Sequence, residues 1–294
     1  MGGALQRIDP FTFTLFRYSI AALLFLGLLV SLEGTQALKL KGQRPLLAWI
    51  FGSAGFAGFG FLVFWGQQIA GREGVLTASI IMAMQPMLGM LVNWRLRGMI
   101  PRRVSLGFVA LSFCGVALVV TGGDIQALIS EPISYKADAL ILLGALCWVF
   151  YTVGGSYFPQ WSPYKYTAMT TILGLTTVAA VEAVLLQRGW VSWPTAAVVV
   201  GIAPNLAYMA VVAGFIAVLA WNMGNKVLGA TNAVLFMDVI PMTAFAISAL
   251  QGSLPTTPQV LGATLTAAAL IGNNIYLRLA AAPARALPQP AGSV

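Results

Sequence analysis

The sequence predicts an all-α membrane protein, an inverted-repeat bundle of nine transmembrane helices. Three observations carry that prediction. Hydrophobic residues make up 59% of the 294 and charged residues only 8%, against about 25% charged in a soluble domain. Apolar runs of about 20 residues recur along the chain, the length that crosses about 30 Å of hydrocarbon. Stretches of the first half also return in the second at a nearly constant offset, the mark of an internal duplication.

In chain order the expected spans are Phe11–Leu32, Leu46–Ala70, Val75–Leu96, Val104–Gly122, Ala137–Phe158, Tyr164–Leu186, Pro204–Leu228, Asn232–Leu250 and Gln259–Leu279. The first is longer than a signal-peptide core and has no basic segment and small-residue cleavage site around it, so it reads as a retained span. Pro194–Ala203 reads as an interfacial lead-in to its span. Residues 281–294, rich in Ala and Pro, read as a disordered tail. Cys114 and Cys147 both fall inside apolar runs and read as small core residues.

At an offset of 155, Gly74, Ala78, Met82, Pro86 and Met87 fall on Gly229, Ala233, Met237, Pro241 and Met242, and Gly107 on Gly262. At 153, the stretch from Pro10 to Thr14 falls on Pro163 to Thr167. The expected units are therefore a first repeat over 1–125 and a second over 137–280. The second begins with a helix whose partner would precede Met1, so the first repeat is expected to lack its opening helix. A start codon assigned too late is the favoured explanation.

Charge sets the orientation. With Met1 outside, 11 of the 16 bases (Lys39, Lys41, Arg44, Arg95, Arg97, Arg102, Arg103, Lys165, Lys226, Arg278 and Arg285) lie on one side with a single acid, Glu33. Basic loops mark the cytoplasmic face, which puts the C terminus there, in a multi-pass protein of a bacterial inner membrane. An odd number of helices per full repeat makes the two copies cross the bilayer in opposite senses, an architecture that places a binding site near midplane between the halves. The net charge of +8 does not point to nucleic acid, because no basic stripe with interleaved aromatics is present.

Four passages resemble one known family, the ten-helix, EamA-like branch of the drug/metabolite transporter superfamily. Pro10 to Tyr18, with Arg17, resembles the start of that family's second helix. Gly144-Ala145-Leu146-Cys147-Trp148 resembles the core that opens each repeat. Gly74–Leu88 and Gly229–Thr243 resemble the fourth and ninth helices, proline included. The likeness runs from residue 2 to 280. It implies ten helices, cytoplasmic termini and export of small metabolites, amino acids (aromatic ones among them) being typical cargo. Efflux of lipophilic drugs or cations, or a non-transporting truncated remnant, is the alternative.

Charges inside a bilayer cost about 2.5–3.5 kcal/mol each on insertion scales, and such residues usually face a cavity or a partner. Asp238 lies deep in its span, three residues before Pro241, and is the expected proton carrier if transport is proton-coupled. Arg17 either attracts a substrate carboxylate or pairs with Glu182, and Glu182 otherwise snorkels to the outer interface. Pro86 and Pro241 interrupt equivalent spans, the best sequence pointer to a transporter's binding region. Gln85 beside Pro86 offers amide hydrogen bonds. Trp65, Trp148, Tyr151, Tyr208 and Trp221 are candidate walls for amphipathic cargo, while Trp94, Trp161 and Trp190 fit an interfacial belt. Asn232 is a further candidate for the cavity wall; Asn222 and Asn273 read as helix-bridging. Gly52, Gly55, Gly58 and Gly60 read as a close-approach face.

Histidine is absent, which removes Ser/His and Cys/His nucleophile couples and His-pair zinc sites. No Gly-rich loop ends in Lys-Ser or Lys-Thr, so ATP-driven transport has no support. The chain is read as no enzyme, with no metal and no cofactor. Its partners are a small-molecule substrate and the lipid bilayer, and it works as a monomer or a homodimer.

Overall fold

The computed structural model describes residues 2–40, 42–71, 74–121, 123, 132–228, 243, 250 and 256–285. Those residues form an all-helical membrane bundle with six helices long and apolar enough to span, and shorter ones beside them. A short α1 (Gly2–Leu5) precedes α2 (Pro10–Glu33). The long α3 runs Pro45–Gly52, through a π-helical segment at Ser53–Gly58, and on over Phe59–Ala70. Then come α4 (Gly74–Ala83), α5 (Gln85–Arg97), α6 (Arg103–Thr121), α7 (Pro132–Gly154) and α8 (Pro163–Gln187). The ninth, α9, runs Ala196–Ala207, a π-helical segment at Tyr208–Ile216, and Ala217–Leu228; α10 is Thr257–Arg285.

Local chemistry sets the ends. Asp9 caps α2, its carboxylate accepting from the Phe11 and Thr12 amides at 2.9 and 2.8 Å, with Pro10 in the first turn. Ser162 caps α8 in the same way, accepting from Lys165 N at 2.9 Å ahead of Pro163. The two caps stand 153 residues apart, the offset read from the sequence. Gly98 ends α5 in the left-handed conformation (φ 65°), its amide reaching Trp94 O, with Arg95 and Arg97 in the last turn beside the negative end of the helix dipole.

Helices α2 and α8 run antiparallel. The N-terminal Thr12 of α2 meets Glu182 near the end of α8, and Glu33 at the other end meets Ser162. Arg95, Arg97, Arg102, Arg103, Lys165 and Lys226 belong to that second end, which Tyr157 Oη ties to Leu96 O at 3.2 Å. It is called the basic end below, and the Asp9/Glu182 end the opposite one. The two π-helical segments start at Ser53 and Tyr208, again 155 apart.

Small residues let backbones touch. A Cβ on Gly52 would sit 2.1 Å from Thr170 O, one on Gly174 2.4 Å from Gly52 O, and one on Gly262 2.4 Å from Gly115 O. Gly55, Gly58 and Gly60 are likewise filled by Tyr151, Cys147 and Thr14. Lipid gives helices no hydrophobic reason to associate, so this close van der Waals packing must hold them.

Several expectations need correction. The run from Val75 to Leu96 is two helices, broken at Met84, because Pro86 has no amide to continue the ladder. The supposed lead-in Pro194–Ala203 is helical from Ala196 on, continuous with the span and containing Pro204. Helix α10 extends through Pro283 to Arg285, so the expected tail is helical over its first residues. Cys114 is exposed on α6 rather than in the core, whereas Cys147 packs against Gly58. Trp161 is buried against Phe158 and Lys165 rather than in a belt, while Trp94 and Trp190 are exposed. The expected span Asn232–Leu250 lies largely outside the described residues.

Candidate functional site

The break before Pro86 places Gln85 and Pro86 at the head of a cavity of about 410 Å³. Four other helices complete it, α6 through Ser105. Trp148 and Thr152 lie one turn apart on α7, Trp221 and Asn225 one turn apart on α9, and Asn273, Asn274 and Leu277 on α10. A second cavity of about 440 Å³ shares Asn93, Arg97, Thr152, Val153 and Asn225 with it and reaches Asn222, Lys226 and Tyr166. Together they form one vestibule that opens at the basic end, past Arg97, Ile100 and Arg102. At its blind end Gln85 donates to Met82 Sδ at 3.1 Å, and Trp148 packs against Phe59 with centroids 5.1 Å apart. Met82 and Phe59 belong to an apolar plug with Phe13, Val63, Phe64, Ile202, Leu206 and Met209. The plug closes the opposite end.

The wall is rich in amides. Trp221 Nε1 donates to Thr152 Oγ1 at 3.3 Å, whose own proton goes to Trp148 O at 2.9 Å. Asn222 donates from Nδ2 to Tyr151 Oη at 2.7 Å and Thr167 Oγ1 at 2.8 Å, and Tyr166 Oη donates to Tyr151 O at 2.6 Å. Tyr151 and Tyr166 stack at 5.3 Å. Among the described residues, Ser105 Oγ, Asn225 Nδ2, Asn273 Oδ1 and Asn274 Nδ2 have no hydrogen-bond partner. Buried polar atoms are nearly always paired, and these four lie together on one cavity wall. The charged residues lining the vestibule are Arg97, Arg102 and Lys226, with no acid among the described residues.

Of the residues singled out from sequence, Gln85, Pro86, Trp148 and Trp221 line this vestibule. Tyr151 is fully buried behind it, holding Asn222 in place. Trp65 lies at the other end of the molecule, beside Phe11 and Lys136. Tyr208 is 60% exposed and turned away from the vestibule. The inward stripe of α9 is Ile202, Leu206, Ala210, Gly214, Val218 and Asn222, a spacing of four. A plain α-helix would drift about 40° per such step; the wider π-helical turns take up that drift and leave Tyr208 on the lipid side. Asn232, Asp238 and Pro241 lie outside the described residues. Sequence reasoning missed Asn93, Thr152, Asn225 and Asn274. The spacing Trp148–Thr152 and Trp221–Asn225, one helical turn each, was the available signal.

Arg17 and Glu182 do not pair. The Arg17 guanidinium is buried in the plug, donating from Nε to Met209 O at 3.0 Å and lying over the rings of Tyr18 (4.7 Å) and Phe64 (5.3 Å). Met209 sits in the π-helical segment of α9, where the changed ladder gives Arg17 a main-chain acceptor. Nor does Glu182 snorkel: it is 1% exposed and hydrogen-bonded to Thr12 Oγ1 at 2.5 Å.

Comparison with known proteins agrees with this architecture. A solved crystal structure, 18% identical, superposes with a TM-score of 0.63 over 96% of this chain and 93% of its own, and so shares the fold. Two proteins of Bacillus subtilis (strain 168) align over almost the whole chain. The uncharacterized transporter YrdR is 32% identical over 275 residues, 94% of this chain and 85% of its own. The uncharacterized transporter YyaM is 27% identical over 273 residues, 92% of this chain and 86% of its own. The family model described as the EamA-like transporter family matches twice, over residues 1–121 and 135–275. With nine-tenths of its length covered by that model, this chain belongs to the EamA-like transporter family.

Proposed function

We propose that this chain is a secondary transporter that exports small metabolites, amino acids foremost, from a bacterial cell by alternating access of two inverted repeats. The vestibule carries the reading: a blind, amide-lined cavity between helices of both matched stretches, open at one end and plugged at the other. Trp148 and Trp221 offer apolar faces to a side chain. The free amides and the cations of Arg97 and Lys226 suit a carboxylate.

The repeat is supported by equivalent caps at Asp9 and Ser162, equivalent π-helical segments, and the antiparallel run of α2 against α8. Positive-inside bias assigns the basic end, and with it the C terminus, to the cytoplasm, so the vestibule faces inward. Lipophilic cations, the alternative cargo, are disfavoured by a described lining whose charges are all positive.

Counterflow tests the reading. Proteoliposomes preloaded with an unlabelled amino acid should accumulate its labelled form, and Trp221→Ala together with Asn225→Leu should abolish the accumulation without loss of insertion. Correctly inserted protein that moves no protein amino acid would exclude this cargo class.

A further inference from the structure

At the end opposite the vestibule, Thr12 Oγ1 lies 2.7 Å from Asp9 Oδ2 and 2.5 Å from Glu182 Oε1. A threonine hydroxyl has one proton to give, yet both contacts are hydrogen-bonded lengths between oxygens that, with both acids ionised, would present three acceptors and one donor. One carboxyl must therefore supply a second proton. Asp9 accepts two main-chain amides at the positive end of α2. Glu182 has no such support. It is 1% exposed, and its other oxygen, Oε2, is buried without a partner among the described residues, a poor place for a charge.

We infer that Glu182 is a proton-binding site, donating to Thr12, which donates to Asp9, and that this relay latches the outer ends of α2 and α8. Among the described residues no cation pairs with it, and Arg7, two residues before Asp9, lies against Gly201 of α9. Helix α3 carries no ionisable residue over 45–70, and α9 offers only the exposed Tyr208 and, at the basic end, Lys226. Tyr164, Lys165 and Tyr166 of α8 lie at its far end, and Arg188 follows its last turn. Arg17 of α2 turns to Met209. On the transport reading, opening the outer end parts α2 from α8, wets Glu182 and lets its proton leave. The shut state then holds one proton more than the open state, so acid outside favours shutting. The ratio of shut to open changes by at most about tenfold per pH unit, the limit for one proton.

Infrared spectroscopy of the full chain in lipid nanodiscs tests the site itself, because a protonated carboxylic acid has a carbonyl stretch that a carboxylate lacks. At neutral pH the band should be present in the wild type and lose intensity in Glu182→Gln. In Thr12→Val, where the acid loses its acceptor, it should persist at a shifted frequency. An unchanged band in Glu182→Gln, or an unshifted one in Thr12→Val, overturns the relay, and the second comparison decides alone if Glu182→Gln does not insert. Counterflow against outer pH tests the latch: the wild type should slow as the outside is acidified, and Glu182→Gln, whose amide still donates to Thr12, should be flat. Wild-type pH dependence in that variant refutes the latch. No counterflow by the wild type at all would instead sink the transport reading, leaving the infrared band to decide the proton site.

Discussion

Replacing Gly52 by alanine tests whether backbone contact between α3 and α8 holds the bundle together. The new methyl carbon would stand 2.1 Å from Thr170 O and 3.1 Å from Gly174 N, where ordinary contact begins at 3.4 Å. The obstacle is main chain, so no rotamer relieves it, and the helices must part by roughly 1.3 Å. Overpacking of this kind costs about 1–3 kcal/mol, and a main-chain obstacle belongs at the upper end. Alanine returns about 1 kcal/mol of helix propensity. The net expectation is a loss of about 2 kcal/mol. Gly27→Ala is the control, since nothing lies within 4 Å of its would-be methyl, and it should be neutral or stabilising. Reversible unfolding of the detergent-solubilised protein, followed by circular dichroism, measures both. Because Gly174 faces Gly52, the double variant Gly52→Ala/Gly174→Ala should lose less than the two single losses combined. A Gly52→Ala protein as stable as wild type, or a Gly27→Ala protein equally damaged, would refute the reasoning.

Two further outcomes follow from the vestibule. Asn222→Leu strips the donor shared by Tyr151 Oη and Thr167 Oγ1 and should cost about 1–3 kcal/mol in the same unfolding assay. Arg97→Glu puts an acid at a mouth whose described charges are all basic. It should raise the KM for a carboxylate substrate several-fold, an effect that shrinks as salt screens it; an unchanged KM at low salt would deny the cations a part in recruitment.

The helical bundle was legible because composition and run length leave a membrane chain few options, and Pro86 announced its break because proline lacks an amide. The glycine face of α3 was legible too, since glycines at spacings of about three residues in lipid serve little besides close approach. The partners of Arg17 and the outward turn of Tyr208 were not. Both depend on the π-helical segment at Tyr208–Ile216, which rotates one part of α9 against the other and gives Arg17 a carbonyl instead of a carboxylate. Asn225 and Asn274 were overlooked for a related reason: an amide in an apolar run does not reveal its face until the neighbouring helices are in place. The burial of Glu182 came from the meeting of α2 and α8 end to end, a contact between residues 170 apart in sequence.

The central claim is a vestibule open to the cytoplasm and sealed from outside, and solvent access at Asn225 tests it most directly. With Cys114 and Cys147 replaced by serine, Asn225→Cys in oriented membrane vesicles should react with a membrane-impermeant maleimide added on the cytoplasmic side. The same reagent added outside should leave it unlabelled until substrate is supplied. Labelling from outside at rest, with none from the cytoplasm, would contradict the account.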